Sequence, residues 1–100
     1  MSRFRLSPEA AQDITEIVAY IARDSVPAAR RVRQALLAAC QRLAEHPGLG
    51  HRREDLTEKP VRFLPVYSFL IVYDPASHPL AIVRVLRGAQ DIATILGRDR

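Results

Sequence analysis

The sequence predicts an α+β fold in the order β-α-α-β-β-β: an N-terminal strand, an antiparallel two-helix hairpin packed on a small antiparallel sheet, and room for a short C-terminal helix. Three observations carry this prediction. Apolar residues recur at three- and four-residue spacing through two long segments, each opened by a serine and a proline and separated by only a few residues. A polar stretch then leads into three β-branched and aromatic runs set close together. With one hundred residues and 48% hydrophobic content, the chain has the size of a single domain spanning residues 1–100.

Arg3-Phe4-Arg5-Leu6 alternates basic and apolar, the pattern of a short strand with one buried face. Ser7 is a good N-cap, and Pro8 fits the first helical position, where its missing N–H costs nothing. Glu9 and Asp13 place negative charge near the positive end of the helix dipole. The helix starting at Pro8 carries Ala10, Ile14, Ile17, Val18 and Ile21 on one face. Asp24 and Ser25 interrupt the pattern, and Ser25 can cap a second helix with Pro27 in its first turn. Its apolar stripe is Ala29, Val32, Leu36, Ala39 or Cys40, and Leu43; His46-Pro47-Gly48 ends it, because proline disfavours helical conformation in the preceding residue. So short a connection makes the two helices an antiparallel hairpin.

Gly48 to Pro60 reads as a polar loop of a length that is often functional or mobile. Val61–Val66, Phe69–Asp74 and Leu80–Leu86 follow as strands of successive hairpins, antiparallel because a parallel crossover needs about a dozen residues or more. Gln90 to Leu96 is predicted as the short closing helix, stopped by Gly97. Period-two alternation puts Leu80, Ile82, Arg84 and Leu86 on one face of the last strand and Ala81, Val83 and Val85 on the other. A helical hairpin covers one face of a sheet, yet both faces here are apolar. The second face is therefore expected to be closed partly by the C-terminal segment and partly by another chain, with Leu80, Ile82, Arg84 and Leu86 as partner-binding residues.

The composition narrows the function classes. No apolar run approaches the roughly 20 residues needed to cross a bilayer, and Met1-Ser2-Arg3-Phe4-Arg5 leads into polar Ser7-Pro8-Glu9 instead of a signal-peptide core, so a cytoplasmic location is expected. Cys40, the single cysteine, can form no internal disulfide and falls on an apolar helix face. His46, His51 and His78 lie in separate turns, which predicts no metal, and Gly48 and Gly50 belong to no phosphate-cradling motif, so no cofactor is expected. Fifteen basic residues, all arginine except Lys59, face eleven acidic ones for a net charge of +4. The two halves of the chain carry the same excess, and that dispersal argues against direct nucleic-acid binding.

One constellation remains. Arg62, Arg84 and Arg87 are expected near one edge of the sheet, where guanidinium groups can grip phosphate or an acidic peptide; alternatively Arg84 pairs with Asp91 or Asp74. Cutting RNA through its own 2′-hydroxyl also needs a general base and a general acid, and Gly88-Ala89-Gln90-Asp91-Ile92 offers neither tyrosine nor histidine. No catalytic residue is therefore assigned, and Asp91 joins the three arginines as a candidate target or phosphate contact.

The entry Arg5-Leu6-Ser7-Pro8-Glu9-Ala10, the junction His46-Pro47-Gly48-Leu49-Gly50, the hairpin Val61–Tyr73 and the ending Ile82–Ile92 together resemble the RelE/ParE superfamily of bacterial type II toxins. The ending Arg84-Val85-Leu86-Arg87-Gly88-Ala89-Gln90-Asp91 is similar to the ParE branch. That resemblance implies a toxin that inhibits DNA gyrase, arrests growth and is held inactive by a ParD-like antitoxin in a hetero-oligomer. The antitoxin's C-terminal segment would wrap the toxin and cover the second sheet face. A RelE-like activity, the alternative, would be ribosome-dependent cleavage of messenger RNA, with Arg62, Arg84 and Arg87 at the basic positions and Gln90-Asp91 at the acid/base position. A third reading is an inactive homologue that persists in an antitoxin-bound repressor complex. ParE-like proteins usually carry arginine after Gly-Ala, where this chain has Gln90.

Overall fold

The computed structural model describes residues 3–88 and 90–98. Its elements are β1 (Phe4–Leu6), α1 (Pro8–Ala22), α2 (Val26–Glu45), β2 (Arg62–Val66), β3 (Phe69–Asp74), β4 (Leu80–Arg87) and α3 (Ile92–Arg98). Both helix starts follow the predicted cap chemistry. Ser7, in extended conformation, accepts the Ala10 N–H at 2.9 Å, and Ser25 accepts that of Ala28 at 3.1 Å. The last helix corrects the prediction, for it begins at Ile92 and runs through Gly97 to Arg98. Ala89, part of the Gly-Ala motif, lies outside the described residues.

The four strands form one sheet in the order β1-β4-β3-β2. β2–β3 and β3–β4 are the expected antiparallel hairpins, but β1 lies parallel to β4, so the sheet is mixed. Sequence proximity forces only the hairpins; the whole helical hairpin and two strands separate β1 from β4, enough chain for a parallel return. β1 ends at Leu6, and the start of α1 takes over the edge of β4 beyond it. The Ser7 N–H donates to Ile82 O, the Ser7 hydroxyl donates to Val83 O, and the Val85 N–H donates to Asp13 Oδ2. A sheet edge that would otherwise offer unpaired backbone groups is covered by helix side chains.

α1 and α2 bury Ala10, Ile14, Leu36, Ala39, Cys40 and Leu43 against Phe69, Ile71, Tyr73, Leu80, Ile82 and Val85. The second face of the sheet has a smaller core, in which Val61, Phe63, Val72 and Leu86 pack against Ile92 and Leu96 of α3. Each of those two α3 side chains contributes roughly 1.5–3 kcal/mol by leaving water. Lys59 Nζ donates to Leu96 O, fixing the loop before β2 to the last turn of α3.

A register shift between Val72 and Tyr73 overturns the predicted faces of β4. Val72 pairs with Arg84 and Tyr73 with Ile82, which leaves Val83 as the extra residue of a β-bulge. Leu80, Ile82 and Val85 therefore serve the helix-side core, whereas Val83 and Leu86 serve the α3 side. One inserted residue reverses the alternation for everything that follows it.

Candidate functional site

The three strand arginines do not gather at one sheet edge. Arg84 Nε donates to Asp13 Oδ2 at 2.8 Å and Arg84 Nη2 to Asp13 Oδ1 at 2.9 Å, a forked ion pair tying β4 to α1. Sequence reasoning looks for this partner close by, but the carboxylate comes from a helix 71 residues away. Arg62 sits at the start of edge strand β2, where its Nη1 donates to Gly50 O at 2.8 Å. Arg87 lies at the far end of β4, level with Phe69 while Arg62 is level with Tyr73, so these two occupy opposite ends of the sheet. Only Arg87 is an exposed residue.

The segment after β4 is held by local contacts. Gln90 Oε1 accepts the Arg87 N–H at 2.6 Å, and Asp91 accepts both the hydroxyl and the backbone N–H of Thr94, at 2.7 and 3.3 Å, as a cap on α3. At the other end of the sheet, Tyr73 is fully buried; its hydroxyl donates to Pro47 O at 2.7 Å and accepts the Gly50 N–H at 2.8 Å. Burial raises the Tyr73 phenol above its ordinary value, opposed by the Gly50 hydrogen bond and the Arg62 charge. A Cβ on Gly50 would lie 2.7 Å from the Tyr73 hydroxyl and 2.8 Å from Phe63 O, so only glycine fits. Arg62, Gly50 and Tyr73 thus form a clasp that fixes the loop leaving α2.

The expected partner-binding side chains are covered within the chain. Leu80, Ile82 and Leu86 are 3%, 0% and 1% exposed, the first two beneath the helices and the third against the α3 core, while Arg84 is held by Asp13. α3 closes the part of the second sheet face that the C-terminal segment is expected to close. Among the described residues, no cluster of three or more His, Cys, Asp or Glu side chains could hold a metal, and no helix is long and apolar enough to cross a membrane. The Cys40 thiol is buried, which pushes its pKa up to about 12.

A groove of about 590 Å3 opens instead where the second half of α1 passes over the β2–β3 turn and the end of β4. Ile17, Ile21, Val32, Phe69 and Val85 supply its apolar lining, and Asp13, Glu16 and Arg87 its charged groups. Tyr20 and Tyr67 line it too and remain 64% and 70% exposed. Arg23 lies over the Tyr20 ring at 5.9 Å. Tyr67 has φ 55°, the left-handed conformation that a two-residue hairpin turn demands and that glycine or asparagine ordinarily fills. An aromatic side chain there costs backbone strain and places a large ring in water. Sequence reasoning passes over both tyrosines; the legible signal is a bulky aromatic in a tight turn position.

The family model described as "ParE toxin of type II toxin-antitoxin system, parDE" matches residues 4–92. No curated protein matches this sequence. Among solved structures, a chain of the "Chromosomal ParDE TA system from P. aeruginosa" is similar in fold, with a TM-score of 0.69 at 22% identity, covering 87% of this chain and 96% of that one. A two-helix hairpin on a mixed four-stranded sheet, with a family match over nearly the whole length, identifies the chain as a member of the ParE toxin family of type II toxin–antitoxin systems.

Proposed function

We propose that this protein arrests growth by binding DNA gyrase and is neutralised by a ParD-like antitoxin in a hetero-oligomeric complex. The observation that carries a binding mechanism over RNA cleavage is the state of the three strand arginines and the segment after them. Arg84 is engaged by Asp13, Arg62 by Gly50 O, and the acid/base position holds an untitratable Gln90 and an Asp91 that caps α3. Phosphoryl transfer to the 2′-hydroxyl requires titratable groups poised at one phosphate. This arrangement offers scaffold contacts instead. The groove bordered by Tyr20, Tyr67 and Arg87 fits the antitoxin segment, because exposed tyrosines around an apolar cleft are the usual anchors of a protein interface. Arg87 is the proposed contact residue among the strand arginines.

Purified protein should inhibit gyrase supercoiling of relaxed plasmid, and equimolar antitoxin should restore it. Undiminished supercoiling at a toxin excess that arrests growth would overturn this reading. Codon-phased cleavage of cellular messages after induction would assign the ribosome as target instead.

A further inference from the structure

The charge that is evenly dispersed between the two halves of the sequence is divided unevenly between the two helices. α1 contains Glu9, Asp13 and Glu16 and no basic residue; α2 contains Arg30, Arg31, Arg33 and Arg42, and its only acid is Glu45, its last residue. All four arginines are exposed, and their side chains make no hydrogen bond or ion pair among the described residues. From Ala28 to Ala44 the exposed positions of α2 are Arg30, Arg31, Arg33, Gln34, Ala38 and Arg42.

α1 has Glu9 in its first turn, whereas α2 has no acid in its first turn, three arginines in its second, and Arg42 in its last, where a cation suits the helix dipole. Arg30 and Arg33 stand three residues apart, where like charges repel. Like charges crowded on one helical turn with no acid beside them are relieved by a ligand of opposite charge. Between Ala28 and Ala44 none of the six exposed residues is an apolar side chain larger than alanine, and the one exposed large hydrophobic of α2, Val26, stands at its first position, a turn before Arg30. Forked guanidinium groups without an apolar anchor suit a ligand that presents repeated oxyanions.

We infer that the outer face of α2 binds the phosphate backbone of nucleic acid through Arg30, Arg31 and Arg33, with Arg42 two to three turns further along. The contact is independent of base sequence, because phosphate contacts position a protein and carry no base information. It uses neither the groove nor the strand arginines, and so stands or falls apart from the gyrase reading.

Fluorescence anisotropy with a labelled 20-base-pair DNA duplex and an RNA duplex of the same length, over a salt series, tests the inference. Each phosphate contact contributes about 0.9 to the slope of log K against log salt on DNA. R30Q/R31Q/R33Q should therefore lower that slope by about 2 to 3 and weaken binding at least about tenfold at low salt. A charge-matched control, R3Q/R5Q/R52Q, removes three other exposed arginines and should keep most of the affinity. Loss on DNA alone, RNA alone or both supports the site and names its source. Equal loss in the two triple variants would reduce the effect to net charge and overturn the inference, as would no loss in either, or binding of polyglutamate by this face without binding of either duplex. The α2 variant should unfold in urea at the wild-type midpoint or above it; a lower midpoint would make these arginines structural and also refute the assignment.

Discussion

Replacing Asp13 by alanine should be among the most damaging single changes on α1, although its helix faces solvent on one side. The carboxylate accepts three hydrogen bonds: two from Arg84, at 2.8 and 2.9 Å, and one from the Val85 N–H at 2.9 Å. The Arg84 and Asp13 side chains are 17% and 11% exposed, so water does not readily replace what is lost. Removing one partner of a buried pair costs roughly 3–5 kcal/mol, because the remaining charge stays desolvated. With both groups retaining a little solvent, the lower end applies, about 3 kcal/mol. For a domain of this size each kcal/mol moves Tm by roughly 4–8 °C, so Asp13→Ala should melt about 12–24 °C below wild type in a calorimetric scan. Adding Arg84→Met removes the orphaned charge and should recover at least about 1 kcal/mol in a double-mutant cycle. A Tm loss under about 4 °C, or additive effects of the two substitutions, would show that the pair does not join α1 to β4 as described.

Two other regions give equally direct expectations. Gly50→Ala drives a methyl group into the Tyr73 hydroxyl and Phe63 O, and Tyr73→Phe leaves the buried Gly50 N–H without its acceptor; each should destabilise the chain by about 1–3 kcal/mol in urea unfolding. Combining them should cost less than the sum, since both break the same clasp. Cys40, with its thiol pushed up to about 12, should stay unreactive toward a thiol reagent at pH 8 until the protein unfolds. Its raised folded value means that the unfolded thiol ionises first. Cys40 therefore makes stability fall as pH rises from the ordinary thiol value of 9.0 toward about 12, a dependence that Cys40→Ala should remove from alkaline unfolding curves.

Local chemistry made most elements legible. Ser7-Pro8 and Ser25 ahead of Pro27 announce two helix starts through cap geometry that depends only on neighbouring residues. The Phe69–Asp74 strand matches its predicted bounds because its apolar run is flanked by turns. The β4 faces fail for a reason equally physical: period-two alternation assumes an unbroken ladder, and the bulge at Val83 reverses it. The same limit applies to the arginines. Arg62, Arg84 and Arg87 look alike as sequence, but their partners are a loop carbonyl, a helix carboxylate and solvent, all chosen by distant chain.

The order of elements and the helix boundaries set by caps and prolines are readable from the residues alone, because these rest on short-range sterics and hydrogen bonding. Long-range packing alone fixed that β1 returns parallel to β4, that Ile92 and Leu96 are the α3 side chains seated on the second sheet face, and that Asp13 holds Arg84. Each of these depends on contacts between residues far apart in the chain, where many pairings satisfy the same local pattern and packing selects one.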